Sequence, residues 1–121
     1  CHQAGVLLDY VMASGSTPLL PFFPKAGVDM YSNIDPHAPH TDMRAIKAAI
    51  GDSVTLCGGI NNYHVLEIGT EAEVDRAVEQ ALNALGPDGC ILAPSDVPNT
   101  TTDTCVRNFH RMISTWKNLT W

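Results

Sequence analysis

His37-Ala38-Pro39-His40, flanked by Asp35 and Asp42, is the densest group of chemistry-bearing side chains in the chain. Two imidazoles and two carboxylates on one loop could hold a divalent ion or a substrate carboxylate. The same residues would also make a solvated loop with Asx turns and a helix N-cap. A metal site here would rest on His37 and His40, because nothing in the loop fixes a third ligand. Further polar groups stand at Asn33, at Asn61-Asn62 and at Ser95-Asp96, each within or just after a short apolar run. If those runs are parallel neighbouring strands, Asn33, Asp35, His37, Asn61, Ser95 and Asp96 converge on one edge as a substrate-binding set. Turn chemistry explains the same pattern equally well, since Asn, Asp and Ser are the commonest turn residues. No residue identifies itself as catalytic. His64, in a connection, and His110, in a helix, read as ordinary surface or packed histidines.

The elements that must position these groups are read from periodicity. The central one is Val54 to Asn62, an apolar run containing Gly58-Gly59 and ending in two asparagines. It reads as a strand buried on both faces, with glycines where a neighbour approaches closely. Cys1 to Gly5 look like a helix tail. Val6 to Ala13 is the first strand, interrupted by Asp9, and Leu19 to Lys25 a short helix made irregular by Pro21 and Pro24. Val28 to Ile34 is the second strand. Thr41 or Asp42 caps a helix with Met43, Ile46, Ala49 and Ile50 on one face. Tyr63 to Gly69 is a connection. Thr70-Glu71-Ala72-Glu73 is a capping box, opening a helix whose stripe is Val74, Ala77, Val78, Ala81, Leu82 and Leu85. Cys90 to Pro94 is the fourth strand. A last helix starts at Thr102 or Asp103, with Val106, Phe109, Ile113 and Trp116 inward. Strand then helix, four times over, predicts an α/β fold of four βα units with parallel strands.

Composition narrows the function classes. At 121 residues the chain fits one domain spanning 1–121, and 45% hydrophobic with 17% charged residues is ordinary for a globular protein. A net charge of −6, with seven basic residues, argues against a nucleic-acid groove. No apolar stretch reaches the roughly 18 residues of a membrane span, and no signal peptide is visible. The four cysteines form no C-x-x-C pair, which suits small buried hydrophobes in a reducing cytoplasm. Asn99-Thr-Thr and Asn118-Leu-Thr match glycosylation acceptors only by accident in such a setting. The start at Cys1 in mid-pattern suggests a processed chain or a piece of a longer one.

Several segments together carry a family likeness. They are Cys1-His2-Gln3-Ala4-Gly5, Lys25-Ala26-Gly27-Val28-Asp29, Ile34-Asp35-Pro36, and Gly51-Asp52 through Gly58-Gly59-Ile60-Asn61. Gly69-Thr70-Glu71-Ala72-Glu73-Val74 and Leu85-Gly86-Pro87-Asp88-Gly89-Cys90-Ile91-Leu92-Ala93-Pro94 complete it. In combination the chain resembles the C-terminal half of the uroporphyrinogen decarboxylase superfamily, which includes cobalamin-dependent methyltransferases. The resemblance implies strands five to eight of a TIM barrel, with the decarboxylases' key aspartate and arginines in the other half. It implies a corrinoid partner or a tetrapyrrole ligand, and an activity nearer corrinoid-linked methyl transfer or O-demethylation than the decarboxylase (lyase) reaction. The methyltransferases' zinc ligands, His-x-Cys and a later Cys, fall at Met12, Ser14 and at or next to Asp96, so that site looks lost. The decarboxylases' His after the eighth strand is also replaced near Asp96. The competing expectation is a non-catalytic binding module. A four-unit arc with two open edges should self-associate as a homodimer, or join a missing N-terminal barrel half.

Overall fold

The structure, a computed structural model, describes residues 1–12 and 15–119. Four strands form one sheet: β1 (Asp9–Val11), β2 (Met30–Ile34), β3 (Thr55–Ile60) and β4 (Cys90–Pro94). They lie in chain order, every pair parallel. Helices fill the three crossovers: α1 (Phe23–Ala26), entered through a 3-10 stretch at Thr17–Phe22, α2 (Met43–Ile50) and α3 (Glu71–Leu85); α4 (Asp103–Asn118) follows β4. This is the expected α/β pattern, consistent with half of a TIM barrel. Parallel neighbours need crossovers of a dozen or more residues, which the helical stretches supply.

Local chemistry starts each helix where the caps stand. Asp42, not Thr41, caps α2, accepting the amides of Arg44 and Ala45. Thr70 and Glu73 close the capping box of α3 from both sides. Thr102 caps α4 through the amide of Cys105. The α3 stripe is as expected: Val74, Val78, Ala81, Leu82 and Leu85 are buried and Ala77 packs against them. On α2, Ile46 and Ile50 are buried but Ala49 is exposed.

The core lies on one side of the sheet in two clusters. Tyr31, Ile34, Leu56 and Leu85 pack with Phe23, Ile46 and Ile50 in the first. Ile60, Leu66, Val74, Val78 and Met112 make the second. The backbone of β3 is what lets these layers meet. A Cβ on Gly58 would lie 2.6 Å from the backbone N and O of Ile34. On Gly59 it would lie 2.8 Å from the Cβ of Ala81. Both glycines have positive φ, 140° and 96°, which L side chains rarely adopt.

Three expectations are corrected. The first strand is shorter than Val6 to Ala13: β1 covers Asp9–Val11, with flanking hydrogen bonds at the Leu8 carbonyl and the Met12 amide, while Val6 and Leu7 are exposed. Ala13 lies outside the described residues. The connection from Tyr63 is instead a π-helical turn over Asn62–Glu67, capped by the Asn61 side chain on the amide of His64. The inward face of α4 is Cys105, Asn108 and Met112, with Ile113 packed against the core as expected, while Val106, Phe109 and Trp116 are exposed. A buried amide decides that rotation. Asn108 donates through Nδ2 to the carbonyls of Val65, Leu66 and Gly69, satisfying the end of the π-helical turn.

Helix α4 is also pinned to α3 by charge. Arg111 grips Asp75 through Nε at 2.7 Å and Nη2 at 2.6 Å, and Thr115 adds its hydroxyl. The Arg111 and Thr115 hydrogen bonds hold the Asp75 carboxyl down at about 2. A lowered native value stabilises the fold above the carboxyl's unfolded range and is lost as pH falls through it. Asp75→Asn should therefore lower stability by about 1 kcal/mol at neutral pH, and urea melts should show this difference vanishing between about pH 4 and pH 2. Gly59→Ala should cost about 3 kcal/mol in the same melts, through strain plus the Ala81 clash.

Candidate functional site

The carboxyl ends of β2 and β3 bring Asp35, His37, Asn61 and His64 together. Asn61 is buried, and its Nδ2 donates to both oxygens of Asp35 at 3.0 Å. Asp35 Oδ1 also accepts the amide of His37 at 2.9 Å, folding the loop back over the strand end. Asn61 Oδ1 accepts the amide of His64 at 2.7 Å. One asparagine thus joins the β2 loop to the first turn after β3. The consequence is a stacked imidazole pair: the His37 and His64 rings lie 4.9 Å apart, 12° from parallel. Tyr63 meets His64 edge-on. Behind the pair runs a cleft of about 410 Å³, lined also by Glu73, Arg76 and Gln80 of α3.

The other expected residues are placed around this group. Ser95 is buried, and its amide donates to the carbonyl of Ile60, so β4 delivers it beside Asn61. Asp96 follows it, exposed, with Oδ1 accepting the amide of Val97. Asn33 takes a left-handed conformation, φ 66°, where the β2–β3 register shifts. His40 is exposed with φ 62°, and its carbonyl accepts the Thr17 hydroxyl. The partner the structure gives His37 is His64. Among the described residues no group of three or more His, Cys, Asp or Glu could hold a metal ion.

The donor set does not fit the methyltransferases' zinc. Met12 offers a thioether and Asp96 a carboxylate engaged in its own turn, where zinc sites use thiolate and imidazole. Ser14 lies outside the described residues. The thiols present are elsewhere: burial pushes the Cys57 and Cys90 thiols up, which disfavours the reactive thiolate.

Sequence reasoning missed two participants. His64 looked ordinary because its stacking partner is 27 positions earlier in the chain. Glu67 was invisible for the same reason. It is buried, and it collects Asn62 Nδ2 at 2.7 Å, the Asn99 amide at 2.8 Å and the Thr100 hydroxyl at 3.1 Å. That carboxylate fastens the loop after β4 to the turn after β3. The one available signal was an acid inside the apolar run Val65-Leu66-Glu67-Ile68.

Glu67→Gln keeps the shape but weakens charge-assisted hydrogen bonds, so it should cost about 2 kcal/mol. Hydrogen exchange at the Asn99 amide should speed up at the same time, and an unchanged rate would show that Glu67 does not hold this loop. The sheet order, the carboxyl-edge cluster and the capping box now stand beside two comparisons. A search of curated proteins found no match. The profile of the uroporphyrinogen decarboxylase (URO-D) family matches residues 10–119, which takes in all but the first residue of β1, the other three strands and helices α1 to α4. The chain therefore belongs to the uroporphyrinogen decarboxylase (URO-D) family.

Proposed function

We propose that the chain is the substrate-binding half of a URO-D-family enzyme of corrinoid-linked methyl transfer, O-demethylation in particular. The observation that carries this reading is the Asp35–Asn61 pair beside the stacked His37–His64 rings, at the carboxyl ends of parallel strands. In α/β folds ligands bind at that edge. Asn61 holds Asp35 in one rotamer, so the carboxylate is aimed before a ligand arrives. The paired imidazoles offer a flat face for an aromatic ether and, in the imidazolium form, an N–H to protonate the phenoxide left when its methyl group departs. A corrinoid carried by a partner protein would accept the methyl group. The absence of His or Cys at Met12 and Asp96 counts against a zinc-activated thiol acceptor, and Asp96 in place of histidine counts against decarboxylation of a porphyrinogen.

A second reading is a non-catalytic module that closes on another set of strands. The apolar side chains exposed along both flanks, Leu7 and Val11 on one and Ile91 and Trp116 on the other, favour it.

The test is methyl transfer from a panel of methoxylated substrates to a reduced corrinoid protein, using the chain together with the rest of its barrel. Turnover should appear, and Asn61→Ala should lower kcat/KM by about tenfold, the worth of one positioning hydrogen bond. No turnover with any substrate, or turnover of uroporphyrinogen instead, would overturn the proposal.

A further inference from the structure

Behind the imidazole pair a polar groove runs between the start of α2 and the exposed side of α3. Its first part is the cleft of about 410 Å³ lined by His37, His64, Glu73, Arg76 and Gln80. A second cleft of about 450 Å³ is lined by Thr41, Asp42 and Arg44 and by Gln80 and Asn83 of α3. Gln80 borders both, so the two clefts meet there. Glu73, Arg76, Gln80 and Asn83 recur at helical spacing, which makes them one exposed stripe of α3.

The charges along this groove are not equivalent. Its carboxylates are committed to helix starts. Asp42 Oδ1 accepts the amides of Arg44 and Ala45, and Glu73 Oε2 accepts the amide and the hydroxyl of Thr70. Its guanidiniums are uncommitted. The chain has four arginines, and Arg107 and Arg111 pair with Glu71 and Asp75. Arg44 and Arg76 make no ion pair among the described residues. In a chain of net charge −6, both unpaired arginines thus stand along one groove. The rings of His37 and His64 add nitrogens that hydrogen-bond to nothing else among the described residues. A guanidinium fork matches a carboxylate or a phosphate, and here there is one fork in each cleft.

We propose that this groove binds an extended small molecule with an anionic group at each end, one held by Arg76 with the imidazole pair and the other by Arg44. The inference stands apart from methyl transfer, and its test uses no corrinoid and no methyl donor. Isothermal titration calorimetry of the whole protein, at neutral pH and low salt, would compare two-headed probes with one-headed ones. The two-headed probes are tripolyphosphate and α,ω-dicarboxylates from succinate to sebacate, and the one-headed probes are inorganic phosphate and acetate. A two-headed probe should bind about tenfold or more tightly than its one-headed counterpart, and the arm that binds identifies the acid groups as phosphate or carboxylate. Arg44→Gln and Arg76→Gln should each weaken that probe about tenfold, and Arg76→Lys less, because the ammonium keeps the charge but loses the fork. Both side chains are exposed, so circular dichroism should be unchanged in every variant. If a glutamine variant unfolds, the lysine variant at that position carries the test. No binding of any two-headed probe at millimolar concentration, one-headed probes binding as tightly, or unchanged affinity in either glutamine variant would each overturn the inference.

Discussion

The close approach of β3 to its neighbours is the constraint on which the rest of this structure depends. Gly58 lets the β2 backbone at Ile34 come within a distance that no Cβ would allow. Gly59 does the same for α3 at Ala81. Because β3 sits so tightly between a strand and a helix, its end is delivered at a set height. That height brings Asn61 level with Asp35 and lets one amide bond both carboxylate oxygens. A side chain at either glycine would push the layers apart, and the polar cluster would open with them.

The polar residues do two separate jobs, and burial separates them. Asn108 and Glu67 are enclosed, and each closes a gap in backbone hydrogen bonding: Asn108 at the end of the π-helical turn, Glu67 at the loop after β4. Such groups are costly to leave unpaired, so they determine how helices and loops sit. Asn108 outweighs the more apolar stripe of Val106, Phe109 and Trp116 in setting the rotation of α4. The group around Asp35 is more open, and its loop side faces a cleft. The enclosed residues build the edge, and the open ones are available to a ligand.

Part of the exposed apolar surface, Leu7, Val11, Ile91 and Trp116, lies at the ends of the sheet, while Phe22, Tyr63, Ile68 and Val97 are exposed elsewhere. The first group lies on surfaces that a complete ring of strands would hide. The URO-D match gives this distribution a physical reading, since the family has a TIM-barrel fold. The apolar cleft of about 680 Å³ at β4 and α4 accordingly lies on a flank rather than at the carboxyl edge.

Much was legible in the sequence because it depends on neighbours in the chain. The capping box at Thr70 and Glu73, the α3 stripe, the parallel order of four βα units and the polar character of each strand end all follow from local periodicity and cap chemistry. The family likeness was legible for the same reason, in short segments at fixed spacing. The tertiary structure alone decided the pairings between distant positions. It stacked His37 on His64, put Glu67 under the loop at Asn99, turned Asn108 inward in place of Trp116, and shortened the first strand to three residues at an open edge. The physical reason is that a residue's chain neighbours set its backbone propensity. Its partners across the sheet and between helices set its burial, and burial decides which polar groups must pair.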